Sequence, residues 1–482
     1  MSKKRKPLPS EPIEAVIESL AHDGRGIARV EGKTVFVHGA LTGERVRFRL
    51  TRRLRRHDEA VVTEVLEPSA QRVEPRCAHF GVCGGCALQH MDPAAQIENK
   101  QAILADVLQR IGGLAPARWL PPLAAADAEA HWGYRRKARL GVRWVPKKGR
   151  VLVGFRERGS SFIADVQRCE VLHPAVGEHL EALARLIEGL SIRERLPQIE
   201  VAQGDGPVVL VFRVLDPPSA ADCDRLLSFA AQSGFHVYLQ EGGVETVRPL
   251  PGQEIELSYR LPNQGLTLAF EPNDFTQVNL ELNRQMIDQA LALLDPQPDE
   301  RLLDLFCGLG NFTLPLARQA RELVGVEGDA GLVARAQANA VRNGIENVRF
   351  YTADLYAQAL PQTGAAAGAH SGARTVHQAG VQTGAQAGPH PSSLPLTAMP
   401  WLDHPFDKAL LDPPRSGALE VLDWLASSGV QRILYVSCYP ATLARDAAKL
   451  VGELGFRLEA AGAMDMFPHT AHLEAMALFE RR

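Results

Sequence analysis

The spacing of apolar and polar positions along this chain of 482 residues changes character at about residues 70, 130 and 276. Between residues 11 and 67, apolar and polar side chains alternate over short runs, and Asp23-Gly24, Gly32 and Gly43 stand at the turns between the runs. This alternation predicts five short strands: Ala15–Ile17, Gly26–Val30, Thr34–Val37, Arg45–Leu50 and Ala60–Val62. Five strands at this spacing favour a small closed barrel of the OB type, a common platform for nucleic acids.

Helical spacing follows in the middle of the chain. Residues Ala95–Ile111 form a predicted amphipathic helix that ends at Gly112-Gly113, and Glu178–Leu190 and Ala220–Ser233 are predicted helices among strands. From about residue 276 strands and helices alternate, which predicts an α/β domain whose parallel sheet is covered on both faces. Residues 361–400 are low-complexity sequence with little to bury, and we predict a disordered surface insertion there.

Composition adds a charge pattern and a cysteine pattern. The net charge is only −3, but basic residues cluster in three places: Lys3–Lys6, a run of seven arginines from Arg45 to Arg56, and Arg135–Arg139. The arginine run falls on the predicted barrel, which favours a contact with RNA phosphates over a merely solvated face. No apolar run is long enough to cross a membrane, and the N-terminus lacks a signal-peptide core, so we expect a cytoplasmic protein. Seven cysteines in such a protein then indicate metal binding or catalysis rather than disulfides.

A glycine-rich turn follows the first strand of the α/β region. Arg301–Leu305 is an apolar strand that runs into Phe306-Cys307-Gly308-Leu-Gly310-Asn311, without the third glycine of a dinucleotide site. The next two strands end in Glu327 and Asp354, where an acid can accept hydrogen bonds from ribose hydroxyls. A glycine turn with two such acids suits S-adenosylmethionine, which has a ribose and a carboxylate but no phosphate. We interpret Cys307 as a packing residue beneath this turn.

Three further residues predict the chemistry. A fourth strand delivers Asp412 into the turn Asp412-Pro-Pro-Arg415, and Arg415 replaces the aromatic residue that amine methyltransferases carry there. A fifth strand leads to Cys438, and Glu474 follows near the C-terminus. Methylation of pyrimidine carbon 5 needs a thiolate that adds at carbon 6 and a base that later removes the carbon 5 proton. We assign these roles to Cys438 and Glu474, against the alternatives of a packing thiol and a surface carboxylate, and Asp412 can accept the uracil imide N–H.

The chain resembles the bacterial RNA uracil-5-methyltransferases, in particular the 23S ribosomal RNA members that carry a TRAM domain and a [4Fe-4S] cluster. The resemblance covers nearly the whole chain and rests on these runs, besides the motifs above: His22–Ala28, Pro75–Cys86, Tyr134–Arg139, Gly154–Arg156, Asp165–Cys169 and Phe275–Asn279. It implies a Rossmann-like class I methyltransferase domain with a mixed seven-stranded sheet, an OB-like TRAM barrel, and a central α+β domain that carries the cluster. The implied boundaries are a basic tail at 1–9, the barrel at 10–68, the central domain at 69–94 and 130–274, and the methyltransferase domain at 95–129 and 275–482.

The resemblance also implies the site residues. The cofactor site is expected to contain Gln277, Phe306, Asn311, Glu327, Asp354 and Asp412, with Phe275 and Gln277 near the target base. The cluster ligands are expected to be Cys77, Cys83, Cys86 and Cys169; their spacing alone fits either zinc or an iron–sulfur cluster. The expected protein is a monomer that flips a uridine out of folded 23S ribosomal RNA into its pocket.

Two features of the chain depart from the family pattern. Tyr439 follows the nucleophile where family members usually carry asparagine, and the insertion at 361–400 is unusual. Alternatives to the 23S enzyme are a methyltransferase for another ribosomal or transfer RNA uridine, and a non-catalytic RNA-binding ribosome-assembly factor. Transfer-RNA relatives generally lack the barrel and the cluster cysteines, and a binding module needs neither Cys438 nor Glu474.

Overall fold

The computed structural model describes residues 8, 11–356 and 404–482. The predicted insertion at 361–400 and, apart from Leu8, the basic tail at 1–9 therefore lie outside the described residues. Among the described helices, none has the length and apolar character needed to cross a membrane.

Residues 13–67 form a six-stranded sheet whose strands follow the order β1-β5-β6-β4-β3-β2. The strands are β1 Ile13–Val16, β2 Ser19–Leu20, β3 Gly26–Val30, β4 Lys33–His38, β5 Arg45–Arg53 and β6 His57–Glu67. The two edge strands, β1 and β2, are consecutive in the chain, so the chain itself joins the two edges around a buried core, as in a barrel. The five predicted strands are present; β2 was missed because two residues are too few to show alternation.

A buried ion pair attaches this sheet to the cysteine-rich segment that follows it. Arg72 donates from Nε to Glu44 Oε1 at 2.5 Å and from Nη2 to Glu44 Oε2 at 2.7 Å, and the Glu44 carboxylate is fully buried. Leu41 packs with Met91 and Ala95 beside this pair. A bidentate pair of this kind fixes orientation as well as distance.

Helix α1, Pro93–Val107, packs against the C-terminal half of the chain. The Asp92 side chain caps it by accepting from the backbone N–H of Ala94 and Ala95, and Pro93 occupies the first turn. The helix continues through a wider π-type turn, Leu108–Gly112, and the chain then forms the short strand β7, Arg118–Trp119.

The next six-stranded sheet, within residues 137–249, follows the order β13-β12-β11-β10-β8-β9. Its strands are β8 Lys137–Val145, β9 Arg150–Gly154, β10 Gln198–Gln203, β11 Val208–Arg213, β12 His236–Gln240 and β13 Arg248–Pro249. Helices α2 Pro174–Gly177, α3 Leu180–Glu188 and α4 Ala220–Ser233 accompany it, and a separate hairpin, β14 Leu257–Leu261 and β15 Leu266–Phe270, follows. Helix α4 has its predicted bounds, with a Ser219/Asp222 capping box, whereas the predicted helix 178–190 is α3 preceded by the separate turn α2.

The C-terminal part contains a mixed sheet, which has eight strands within the described residues, in the order β18-β17-β16-β19-β20-β22-β21-β7. Its strands are β16 Arg301–Leu305, β17 Glu322–Glu327, β18 Val348–Thr352, β19 Lys408–Leu411, β20 Arg432–Ser437, β21 Phe456–Met464 and β22 Glu474–Arg481. Its helices are α5 Leu280–Leu294, α6 Thr313–Ala317, α7 Ala330–Arg342, α8 Leu422–Ser427 and α9 Pro440–Gly452.

The family resemblance implied seven strands for this sheet, and the described residues contain eight. The additional strand is β7, which comes from the segment after α1 and pairs in parallel with β21 at Ala460 and Ala461. Strands β18, β17, β16, β19 and β20 are parallel, and β22 runs antiparallel between β20 and β21. Two apolar clusters pack on the sheet. From β16 the chain adds β17 and β18 on one side of the sheet and then β19 and β20 on the other side. Such a change of direction creates a crevice at the carboxyl ends of the strands beside it.

Candidate active site

A cavity of about 480 Å³ opens at these carboxyl ends. Its size lies within the usual range for small-molecule sites. The structure brings eight predicted residues together on its walls: Gln277, Phe306, Asn311, Glu327, Asp354, Asp412, Cys438 and Glu474. Phe275, predicted near the base, also lines it and is 70% exposed.

The glycine turn of the cavity has left-handed backbone at three positions, with φ of 64° at Phe306, 54° at Gly308 and 96° at Gly310. Only glycine adopts such angles freely, so the non-glycine Phe306 is a strained position of the kind found at binding sites. The backbone N–H groups of Phe306 and Cys307 donate to Val326 O at 2.9 and 3.1 Å, which ties the turn to β17. Cys307 is 5% exposed, in keeping with a packing role.

The Glu327 carboxylate is held at the end of β17 by backbone donors. Gly308 N donates to Oε2 at 3.1 Å, and Gly328 N and Asp329 N donate to Oε1 at 2.7 and 3.1 Å. Oε1 thus accepts two hydrogen bonds and Oε2 one, so Oε2 retains a lone pair for a further donor. At the end of β18, Asp354 accepts from Tyr356 N at 2.9 Å. Two fixed acids therefore stand on one wall of the cavity.

Sequence reasoning missed the partners that orient Asn311. The Tyr259 hydroxyl donates to Asn311 Oδ1 at 2.8 Å, and Asn283 and Asn311 exchange side-chain hydrogen bonds at 2.9 and 3.0 Å. Tyr259 lies on β14 and Asn283 on α5, and no sequence pattern linked them to the glycine turn. Tyr356, also missed, places its ring 5.7 Å from that of Phe306 and lines the cavity.

At the other end of the cavity lie a thiol and two carboxyl groups. Burial, together with the negative charges of Glu474 and Asp412, raises the pKa of the Cys438 thiol to about 11. Burial and the charge of Asp412 raise the pKa of Glu474 to about 8, and burial with the charge of Glu327 raises that of Asp412 to about 7. The Arg415 guanidinium acts in the opposite direction on Cys438 and Glu474. Titratable groups with such displaced pKa values in a cleft are typical of catalytic sites.

Tyr439 follows Cys438 and is 43% exposed. It occupies the N-cap position of α9, where its side chain makes no capping hydrogen bond, although asparagine there would be able to cap the helix. Its backbone is fixed instead by Ser437, whose Oγ accepts from Tyr439 N at 3.1 Å. An exposed aromatic ring therefore follows the thiol in the chain, at a position where no side chain caps the helix.

A second cavity, of about 220 Å³, is lined by the four remaining predicted residues, Cys77, Cys83, Cys86 and Cys169. Burial raises the pKa of Cys86 to about 12 and that of Cys169 to about 11, and the neighbouring thiols act in the same direction. Within residues 11–356 and 404–482, no group of three or more His, Cys, Asp or Glu side chains is suited to a metal ion. His472, two residues before Glu474, also lines this cavity, so one short segment contributes residues to both cavities.

Comparison with known proteins identifies the family of this chain. A family model described as tRNA (Uracil-5-)-methyltransferase matches residues 227–365 and 396–482, and a TRAM-domain model matches residues 11–57. A protein of Alkalilimnicola ehrlichii named 23S rRNA (uracil(1939)-C(5))-methyltransferase RlmD is 53% identical over 484 residues, covering 100% of this chain and 99% of that protein. The protein of the same name from Methylococcus capsulatus is 52% identical over 479 residues, covering 99% of each chain.

Among solved structures, the Pyrococcus abyssi tRNA (uracil-54, C5)-methyltransferase in complex with S-adenosyl-L-homocysteine is similar, with a TM-score of 0.68 over 97% of this chain and 99% of that chain. At 22% identity this likeness concerns the fold alone.

Proposed function

Because this chain belongs to the RNA uracil-C5-methyltransferase family, we propose that its larger cavity transfers a methyl group from S-adenosylmethionine to carbon 5 of a uridine in 23S ribosomal RNA. The full-length relatives at 53% and 52% identity are named for uracil 1939, and the equivalent uracil is the proposed target. The observation that carries the proposal is the meeting of Cys438, Glu474 and Asp412 at one end of a cavity whose other end has a glycine turn and two acids.

Cys438 begins the reaction. Its thiolate adds to carbon 6 of the flipped uracil, a carbon–sulfur bond forms, and the electrons of the 5,6 double bond move to carbon 5 and the carbonyl at carbon 4. Carbon 5 is then nucleophilic enough to take the methyl group that S-adenosylmethionine supplies. Asp412 accepts the imide N–H of the base and holds the ring in place, and Arg415 at the cavity wall stabilises the negative charge that the thiolate brings.

Glu474 completes the reaction. Its carboxylate removes the proton from carbon 5, the 5,6 double bond forms again, and the bond between carbon 6 and sulfur breaks to return the Cys438 thiolate. A general base works best when its pKa lies near the working pH, and the pKa of about 8 at Glu474 meets this condition.

The opposite wall fits the methyl donor. Glu327 and Asp354 stand where ribose hydroxyls would donate, and Asn311 is kept in one orientation by Tyr259 and Asn283. Phe306 and Gln277 are the remaining proposed contacts.

A covalent trap tests the nucleophile. RNA with 5-fluorouridine at the target should form a stable adduct with the enzyme, because fluorine cannot leave as a cation. The adduct should disappear in Cys438→Ala and persist in Cys223→Ala, whose thiol lies on α4 outside both cavities. An adduct that still forms with Cys438→Ala would refute the assignment. Mass-spectrometric mapping of 5-methyluridine in 23S and transfer RNA, with and without the enzyme, identifies the target.

We further propose that Cys77, Cys83, Cys86 and Cys169 ligate a [4Fe-4S] cluster. Four thiols around one cavity supply the donor set that such clusters use, one thiol to each iron. The cluster would cross-link residues 77–86 to Cys169. Protein purified without oxygen should contain iron and sulfide in equal amounts; stoichiometric zinc would refute the cluster.

The barrel arginines divide into two groups. Arg45 and Arg47 are paired with Glu14, Glu64 and Glu67, with distances from 2.8 to 3.6 Å. Within the described residues, the other five arginines form no ion pair: Arg49, Arg52, Arg53, Arg55 and Arg56. We propose that this second group contacts RNA phosphates.

A further inference from the structure

The loop that connects β21 to β22, residues 465–473, touches three other parts of the chain and ends at Glu474. Met464 pairs with Glu474 across the hairpin, so the geometry of the loop determines where the first residue of β22 lies. On one side the loop meets helix α1, on another the cysteine-rich segment, and on a third the residues just before β8.

Hydrogen-bond donors from these parts hold the loop at one carboxylate and at three backbone oxygens. Lys100 on α1 donates to Asp465 Oδ1 at 2.5 Å and to Phe467 O at 3.1 Å, and the Tyr134 hydroxyl donates to Pro468 O at 3.0 Å. From the cysteine-rich segment, Ala87 N and Leu88 N both donate to His469 O at 2.9 Å. Lys100 is 1% exposed, so its pair with Asp465 is shielded from water.

Gln96 connects the helix, the cysteine-rich segment and the loop. Its Oε1 accepts from His469 N at 2.8 Å, while its Nε2 donates to Leu88 O at 3.0 Å and Met91 O at 2.8 Å. The side chain is fully buried. One amide group therefore sets the position of His469 relative to the residues that follow Cys86.

His469 itself has a strained backbone, with φ of 64°. Its ring stacks on Trp132 with the centroids 3.7 Å apart, and the residue is 1% exposed. A non-glycine residue with this φ persists only where its surroundings determine the conformation, and such positions cluster at functional sites. Three residues further on, His472 lines the cysteine cavity.

We propose that residues 465–473 are a positioning device for Glu474, with Gln96 and His469 as the positioning residues that transmit the placement of the cysteine-rich segment to the base. The inference rests on the proposed function, since it assigns the loop to the last step of that reaction. A displaced Glu474 would leave thiolate addition and methyl transfer intact, because Cys438 belongs to a different segment, directly after β20. The proton on carbon 5 would remain, and so would the bond from carbon 6 to the Cys438 sulfur. The methylated RNA would stay covalently attached to the enzyme.

The test uses ordinary uridine RNA and denaturing gels, which detect a covalent complex without fluorine. The main variant is Gln96→Met, which keeps the volume and removes the hydrogen bonds. Its kcat should fall by about 100-fold, as for a catalytic group displaced by about 1 Å, with KM for RNA within about twofold of wild type. The covalent complex should accumulate. Asp222→Asn, which weakens a buried hydrogen-bond network on α4, is the matched control for lost stability and should accumulate none.

A second pair of variants distinguishes the role of the His469 backbone conformation from the role of its ring. His469→Asn and His469→Val both remove the stack on Trp132, but only asparagine tolerates a positive φ. The valine variant should accumulate the complex and the asparagine variant should release product. Equal behaviour of the two, or loss of activity in Gln96→Met without a covalent complex, would overturn the positioning role. A wild-type enzyme that forms no 5-methyluridine would instead contradict the proposed function.

Discussion

The electrostatics around Cys438 predict how fast this thiol reacts in the RNA-free enzyme. Only the thiolate is nucleophilic, and with a pKa of about 11 roughly one Cys438 in 1,000 is ionised at pH 8. A small thiol with a pKa of about 8.5 is ionised in about one molecule in four at that pH. The more basic thiolate is intrinsically about 10- to 18-fold more nucleophilic, for a Brønsted coefficient of about 0.4–0.5. Cys438 should therefore react with an aromatic disulfide reagent roughly 13- to 25-fold more slowly than the small thiol.

Two substitutions should move this rate in opposite directions. Glu474→Gln removes a negative charge that raises the pKa of Cys438, so the thiolate fraction and the reaction rate should rise. Arg415→Ala removes a positive charge that lowers the same pKa, so the rate should fall. The Glu474 effect should appear at pH 9 and vanish at pH 6.5, because a carboxyl with a pKa of about 8 is already neutral there.

The assay is peptide-resolved mass spectrometry of the modified protein, which separates Cys438 from the other six cysteines. A wild-type rate equal to that of the small thiol would refute the reasoning. So would a Glu474→Gln variant that reacts more slowly than wild type, or one that differs equally at both pH values.

Three other perturbations have expected outcomes. Lys100→Met should lower the free energy of unfolding, measured with urea, by about 3–5 kcal/mol because it leaves Asp465 buried and unpaired. Adding Asp465→Leu should recover most of this loss. A double variant less stable than the single variant would contradict the reasoning. The slope of log K for RNA binding against log salt concentration should become shallower by up to about 3 when Arg52, Arg53, Arg55 and Arg56 are replaced with alanine. Replacing the ion-paired Arg45 and Arg47 should change the slope less per residue. An unchanged slope in the fourfold variant would exclude the barrel as an RNA contact. Glu327→Gln should weaken S-adenosylmethionine binding in calorimetry by about 2 kcal/mol, roughly 30-fold, while the exposed Glu346→Gln serves as the neutral control.

Residues at the ends of strands were predictable from sequence, and residues that act across the fold were not. Glu327, Asp412 and Cys438 each follow an apolar strand, and parallel strands bring their carboxyl ends to one edge, so local pattern was enough to place them in one cavity. Tyr259 and Lys100 reach Asn311 and Asp465 from 52 and 365 residues away, and nothing in their neighbours' spacing marks these contacts. A hydrogen bond between residues so far apart in the chain produces no periodic pattern in the sequence.

The same limit applies to charge and to short elements. Seven arginines in one run predicted cations on the face of the barrel. Strand β5 pairs with β1 and β6, which place glutamates opposite Arg45 and Arg47, and the sequence pattern did not predict these ion pairs. Strands β2 and β7 have two residues each, too few for alternation to be detected, and they form only because their neighbours offer free edges.

The interior position of β22 has a consequence for how the enzyme is made. This strand lies between β20 and β21, yet its residues are translated after those of every other strand described. Until it is synthesised, the edges of β20 and β21 that it will join have no partner, and unpaired strand edges invite wrong pairing. Glu474 is the first residue of β22, and it is therefore among the last of the described residues to be synthesised. Nascent chains therefore contain the proposed nucleophile before they contain the proposed base, and on the proposed mechanism a chain stalled short of β22 has no means of releasing methylated RNA.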